Sequence, residues 1–272
     1  MLTTGAAASV IGEDGRRTPD AAEAELLSAL GVVVCSRVVD SRRRMSAGTG
    51  TVVGSRNTIL TAAHVFTDDD ARQGPPVRFN PETDCVFRQY DSLGNRRVEV
   101  EFSHAEMGTF WHNAGVPNQD WAVLRTVEPL PESTAALPFA ISTGDFEDLT
   151  GLPIRITAFH ADIRTARRMP LLSEGELFRI DYAGFTRLAH TADTGRMSSG
   201  AAIVHRTEDG RHIVVAVNRS SANLGDFNLA VPLSIELEVA LRSYAYGQVP
   251  IRRQRLASNG RFDEETASKP PL

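Results

Sequence analysis

Cysteine is scarce: only Cys35 and Cys85 occur in 272 residues. Neither has metal-ligand spacing or the surroundings of a nucleophile, which argues against a structural zinc site and a thiol enzyme. A bridge between them would require their Cα atoms to come close, which sequence does not fix. Cys35 ends the apolar run Gly31-Val32-Val33-Val34-Cys35, where a free buried thiol is expected. No run of about 18 apolar residues exists, so no helix is expected to span a membrane. There is no basic surplus. The net charge is −5, and the one basic run, Arg42-Arg43-Arg44, reads as a solvated loop, so no nucleic-acid partner is expected. Residues 1–15 lack the basic start and long apolar core of a secretory signal, which leaves a cytoplasmic location as the default. Nothing implies a cofactor or a metal, no internal repeat is present, and nothing fixes the oligomeric state. What remains is 42% apolar and 23% charged residues, the composition of a soluble globular protein of one large or two small domains.

Short β-rich runs punctuated by Gly, Pro, Asn and Asp dominate the chain. Residues 1–27 form an extension with a short helix over Pro19–Leu30, begun by its proline. Strands are expected at Val32–Arg37, Gly50–Val53, Thr58–Ala62, Pro76–Phe79, Cys85–Tyr90, Arg97–Phe102 and Trp121–Arg125, making a barrel over 28–130. Asp68-Asp69-Asp70 reads as a solvated turn rather than a cation site. Residues 103–119, with His104, Phe110, Trp111 and His112, read as a long loop that walls a cleft. After the connector at Glu128–Ser133, a second barrel over 131–250 takes strands Ile154–His160, Gly175–Asp181, Arg187–Ala189, Ala202–His205, His212–Asn218 and Asn228–Pro232. A closing helix runs over Ser234–Tyr244, and residues 251–272 read as a disordered tail.

Three stretches carry chemistry. Gly48–Val53 and Thr58–Ala62 flank the turn Gly54-Ser55-Arg56-Asn57 and end on His64. A histidine held there titrates near neutral pH and can take and return a proton; alone, it reads equally well as a polar residue closing a strand. Asn118-Gln119-Asp120-Trp121-Ala122-Val123-Leu124 puts a carboxylate at the mouth of an apolar strand. His190 to Val204 puts serine in a turn of small residues that runs into a strand.

The order His, Asp, Ser and the motifs Thr61-Ala62-Ala63-His64, Asp120-Trp121-Ala122-Val123-Leu124 and Asp193-Thr194 followed by Ser199-Gly200-Ala201-Ala202 resemble those of the trypsin-like serine peptidases. The likeness is strongest to the bacterial branch that includes glutamyl endopeptidases, and it covers roughly residues 28 to 247. It implies an all-β fold of two antiparallel six-stranded barrels with a C-terminal helix, and a protein or peptide substrate. It also implies His64 as general base, Asp120 as its orienting carboxylate and Ser199 as nucleophile, with the site in the seam between the barrels. Many members of the family are exported. The family's amino-terminal activation site has no counterpart here.

An ungapped alignment selects Ser199, and the alternative, Ser198, would put Ser199 where the family has glycine. Met197 then stands where glycine is usual, and its N–H with that of Ser199 would form the oxyanion hole. The alternative function is therefore a weak or inactive pseudoprotease that binds peptides. Asp193 would floor a pocket for Lys or Arg, or serve as a structural hydrogen-bond acceptor. Asn218, Arg219 and Ser220 lie in the segment that would pair with the substrate, and Arg219 could meet an acidic side chain. His190 could line the pocket, whereas His160 and His205 read as strand or turn residues.

Overall fold

Alternation of buried and half-buried residues, as along Cys85–Tyr90, gives each strand one inward face, and two sets of six strands close on those faces. The computed structural model describes residues 10–68, 75–108, 117–140, 147–163, 168–182, 184–221 and 226–247. The first barrel orders its strands β1(Leu30–Val39), β2(Arg42–Val52), β3(Thr58–Thr61), β8(Ala122–Thr126), β7(Arg96–Met107), β6(Cys85–Tyr90). The second orders β10(Leu171–Tyr182), β11(Phe185–His190), β14(Asn228–Pro232), β13(His212–Ser221), β12(Ala202–Arg206), β9(Pro153–Ala158). A two-stranded sheet of β4(Thr67–Asp68) and β5(Val77–Arg78) lies between β3 and β6 in the chain. Helices α1(Ala24–Ser28) and α2(Pro81–Asp84) are short. Helix α3(Ile235–Tyr246) is capped by Ser234 and by left-handed Gly247, and it buries Leu237, Ala240 and Leu241 in one core with Leu60, Leu124 and Leu130 of the first barrel.

Several sequence expectations change. The expected helix over Pro19–Leu30 shortens to a 3-10 turn at Ala21–Glu23 and α1. Strand β2 starts at Arg42 because Asp40 and Ser41, both at positive φ, make a two-residue turn that returns the chain directly onto β1. The basic run is therefore strand. Arg44 is buried and bonded through Nε to Asp68 Oδ2 at 2.6 Å, so neither Arg44 nor Asp68 belongs to a solvated loop. Asp69 and Asp70 lie outside the described residues. His104 sits within β7, pairing with Arg125 of β8, not in a loop. Phe110, Trp111 and His112 lie outside the described residues, as does the tail over 251–272.

The expectation of a free thiol at Cys35 is also overturned. Strands β1 and β6 pair with Cys35 directly opposite Cys85, Cα atoms 4.1 Å apart, and the two form a disulfide. Sequence separation hid this because register, not spacing, brings them together. The bridge closes a loop 50 residues long. By chain entropy, reduction is expected to lower unfolding free energy by about 4 kcal/mol. Urea unfolding with and without reductant measures this, and coincident midpoints would contradict it.

Candidate active site

The barrels meet along β2, where Gly48-Thr49-Gly50-Thr51 combines small residues with hydroxyls. A Cβ on Gly48 would lie 2.5 Å from the Val65 side chain and 2.8 Å from the Ser199 carbonyl, so only glycine permits this approach. Thr49 uses its hydroxyl twice. It donates to the Met197 carbonyl at 2.8 Å and accepts from the Phe159 amide at 3.1 Å, while the Thr49 N–H donates to Ser199 O at 2.9 Å. Thr51 Oγ1 accepts from the Ala202 amide at 3.1 Å. The serine turn of one barrel is thus bonded directly to a strand of the other.

His64 lies on the 3-10 turn Ala63–Phe66 that follows β3. Asp120 precedes β8 and is 1% exposed. Both of its oxygens hold the histidine: Oδ1 accepts the His64 backbone N–H at 2.9 Å, and Oδ2 lies 2.8 Å from His64 Nδ1. This fixes the imidazole in orientation and places a proton on Nδ1. Burial alone would raise the Asp120 carboxyl, but the charge and hydrogen bonds of His64, with the Arg219 guanidinium, bring it down to about 2. Arg219 Nε donates to the same Oδ2 at 2.9 Å. The Arg219 carbonyl in turn accepts the Ser199 hydroxyl at 2.8 Å. Arg219 therefore touches both the carboxylate and the serine. Among the described residues no hydrogen bond joins Ser199 Oγ to His64.

Ser198 and Ser199 are set apart by their surroundings. Ser198 is 1% exposed; its hydroxyl donates to Gly195 O at 2.7 Å and accepts from Asn218 Nδ2 at 3.0 Å. Ser199 is half-buried, and its hydroxyl makes a single hydrogen bond, to Arg219 O. Gly200 follows at φ 88, and a Cβ there would meet Thr61 Oγ1 at 2.0 Å and Thr49 O at 2.5 Å, so the turn after Ser199 accepts only glycine. Met197 adopts φ 77, the left-handed region that costs a side-chain-bearing residue about 1–2 kcal/mol. Its side chain packs on Leu30, Val32 and Phe159, and its carbonyl is held by Thr49. Among the described residues the N–H groups of Met197 and Ser199 donate to nothing.

Of the remaining expected site residues, Asn218 is fully buried beneath the turn. Its Nδ2 also donates to Ser198 O at 2.9 Å, and its Oδ1 lies 3.1 Å from His190 Nε2. His190 supports Asn218 from behind. The Ser220 side chain lies outside the described residues. Asp193 is 6% exposed and holds the amino-terminal segment: Oδ1 accepts from Ile11 N at 2.6 Å and Oδ2 from Gly15 N at 2.7 Å. The sequence reading missed Thr49, Thr51 and the pairing of Arg219 with Asp120. The available signal was a polar residue, Asn218, directly after the apolar run Ile213–Val217, since a buried amide requires partners.

Two histidines set an acid limit on stability. Burial pushes His160 and His190 down to about 4; Arg16 adds to the effect at His160, whereas at His190 the bond to Asn218 opposes it. In the unfolded chain both protonate near 6.5, so between those values the unfolded state binds more protons. The contribution of the two neutral histidines is expected to be complete above pH 6.5 and to be lost as pH falls towards 4, by roughly 3 kcal/mol for each. The Asp120 contribution is lost lower, from the ordinary carboxylate range down to about 2. Unfolding midpoints in urea from pH 7 to 4 measure the histidine part, and a flat profile would contradict it.

A family model described as a trypsin-like peptidase domain matches residues 48–217. No curated protein matches the chain. Among solved structures, a Glu endopeptidase in complex with MPD superposes with TM-score 0.62 at 20% identity, covering 88% of this chain and 100% of that one. The protease Anisep from Arthrobacter nicotinovorans gives TM-score 0.60 at 14% identity, covering 85% and 98%. A thermostable serine protease, AL20, from an extremophilic microorganism gives 0.58 at 16%, covering 82% and 98%. At these identities the likeness to solved structures establishes the fold.

Proposed function

Because the chain belongs to the trypsin-like peptidase family, we propose that it is a serine endopeptidase working through an acyl-enzyme on Ser199. The observation that carries this reading is the two-oxygen grip of Asp120 on His64, with Arg219 joining that carboxylate to Ser199. With Nδ1–H given to Asp120, the lone pair of the imidazole is on Nε2, the form a general base requires. In this reading the Ser199 hydroxyl leaves the Arg219 carbonyl and gives its hydrogen bond to Nε2 when substrate binds. The serine oxygen then attacks the scissile carbonyl while His64 takes the proton, and the N–H groups of Met197 and Ser199 receive the oxyanion. His64 returns the proton to the leaving amine. Water, deprotonated by His64, releases the acid and restores the serine.

Substrate pairing is assigned to Arg219–Ser221. Strand β13 pairs with β12 only as far as Val217, while β14 continues beside it to Ser221, so one edge past Val217 lacks a strand partner among the described residues. The Arg219 guanidinium holds Asp120, which makes it a positioning group for the triad. The Cys35–Cys85 bridge favours an oxidising compartment. Release of soluble fragments from dye-labelled casein, stopped by a sulfonyl fluoride, tests the activity. A purified, folded protein that binds casein without cutting it would support the peptide-binding alternative.

A further inference from the structure

Asp193 lies six residues before the proposed nucleophile, yet its carboxylate is already occupied. Each oxygen accepts a backbone N–H from the segment that crosses the second barrel, Ile11 on Oδ1 and Gly15 on Oδ2. The segment passes so close that a Cβ on Gly15 would lie 3.3 Å from Oδ2. The next residue, Arg16, has a buried side chain, 3% exposed. It donates to both oxygens of Asp14 at 2.8 Å, to Asp162 Oδ2 at 2.8 Å and to His160 Nδ1 at 3.3 Å. A guanidinium only donates, so His160 is neutral with its proton on Nε2. Arg17 then pairs with Leu172 of β10 by two backbone bonds, and its side chain bonds both oxygens of Glu23 at 2.6 and 2.8 Å. The segment is therefore fastened at Asp193, at Arg16 and at Arg17.

These fastenings lead to the serine turn. A Cβ on Gly195 would strike Asp162 Oδ1 at 2.3 Å, Arg16 Nη1 at 2.6 Å and His160 Nδ1 at 2.8 Å, so the Arg16 cluster seats directly on the Gly195 backbone. The Ala161 amide donates to Arg196 O at 2.7 Å, and Gly195 O receives both the Ser198 amide and the Ser198 hydroxyl. An unbroken series of contacts runs from Ile11–Arg17 to the residue beside Ser199.

We infer that Ile11–Arg17 is a strap, clasped by Asp193 and Arg16, that positions the turn carrying the Met197 and Ser199 amides, and that Asp193 is a clasp rather than a receptor for Lys or Arg side chains. A basic side chain would have to displace two short backbone bonds to reach it. This assignment rests on the peptidase reading for its kinetic consequence, but the clasp has a readout of its own.

The test uses Asp193→Asn and Arg16→Ala in the full chain, with hydrogen exchange, steady-state kinetics and a peptide-library cleavage profile. Asparagine keeps one acceptor for Ile11 but sets an NH₂ against the Gly15 amide, a milder change if Arg16→Ala fails to fold. Amide exchange over 195–200 is expected to accelerate about tenfold in each folded variant, the effect of losing a hydrogen bond to a charged group. The kcat is expected to fall by about tenfold or more with KM nearly unchanged, since the defect lies in the transition-state donors. The residue preference at the cleaved bond is expected to match wild type. Unchanged exchange over 195–200, or loss of cleavage confined to Lys and Arg sites, overturns the inference. If wild type cleaves nothing, the peptidase reading fails, and the exchange result alone decides the strap.

Discussion

Replacing Ser199 with alanine is expected to lower kcat by about 10⁶-fold while the unfolding midpoint stays within error of wild type. The reason is chemical: without the hydroxyl no acyl-enzyme forms, and only the oxyanion donors and substrate binding remain to assist water. Stability should hold because Ser199 Oγ makes one hydrogen bond, to the Arg219 carbonyl, at a half-buried position. Ser198→Ala is expected to do the reverse. It strips a buried hydroxyl from Gly195 O and Asn218 Nδ2, a loss of about 1–3 kcal/mol, while the folded fraction keeps hydrolysing. Active-site-normalised casein hydrolysis beside urea unfolding separates the two. Loss of activity confined to Ser198→Ala would move the nucleophile by one residue.

Asp120→Asn carries the second large effect, a fall in kcat of about 10⁴-fold at neutral pH. The amide is nearly isosteric, and one oxygen can still accept the His64 backbone N–H now held by Oδ1 at 2.9 Å. What changes is the group facing Nδ1 and Arg219 Nε, both now 2.8–2.9 Å from Oδ2. An NH₂ there donates to Nδ1, moves the imidazole proton to Nε2 and removes the lone pair that would accept from Ser199. It also sets a donor against a guanidinium that has lost its counter-charge. Kinetics on the folded variant from pH 6 to 9 check this. A loss below tenfold would mean that Asp120 does not orient the base.

The pairing of His64 with Asp120 was legible because their motifs are local. Thr61-Ala62-Ala63-His64 and Asp120-Trp121-Ala122-Val123-Leu124 each join a polar group to an apolar strand, and strand alternation sets where that group emerges. Both barrels could be drawn from the same alternation. What stayed hidden depends on register and on contacts across the chain. Cys35 and Cys85 meet only because β1 and β6 pair in one register. Arg44 finds Asp68 because β2 begins after a turn of Asp40 and Ser41, which carries no glycine to announce it. The hold of Asp193 on Ile11 and Gly15 joins residues separated by 182 and 178 positions, and its acceptors are met by backbone amides, which every sequence possesses. Thr49 and Thr51 looked like ordinary strand residues until the second barrel supplied their partners.

A serine made nucleophilic in the seam between two barrels is the centre of this account. Treating the purified protein with a fluorophosphonate and locating the adduct by mass spectrometry tests it most directly. One adduct per chain, on Ser199 and absent in His64→Ala, is the predicted result. A folded protein that takes no adduct, or takes it at a serine elsewhere, would contradict the account.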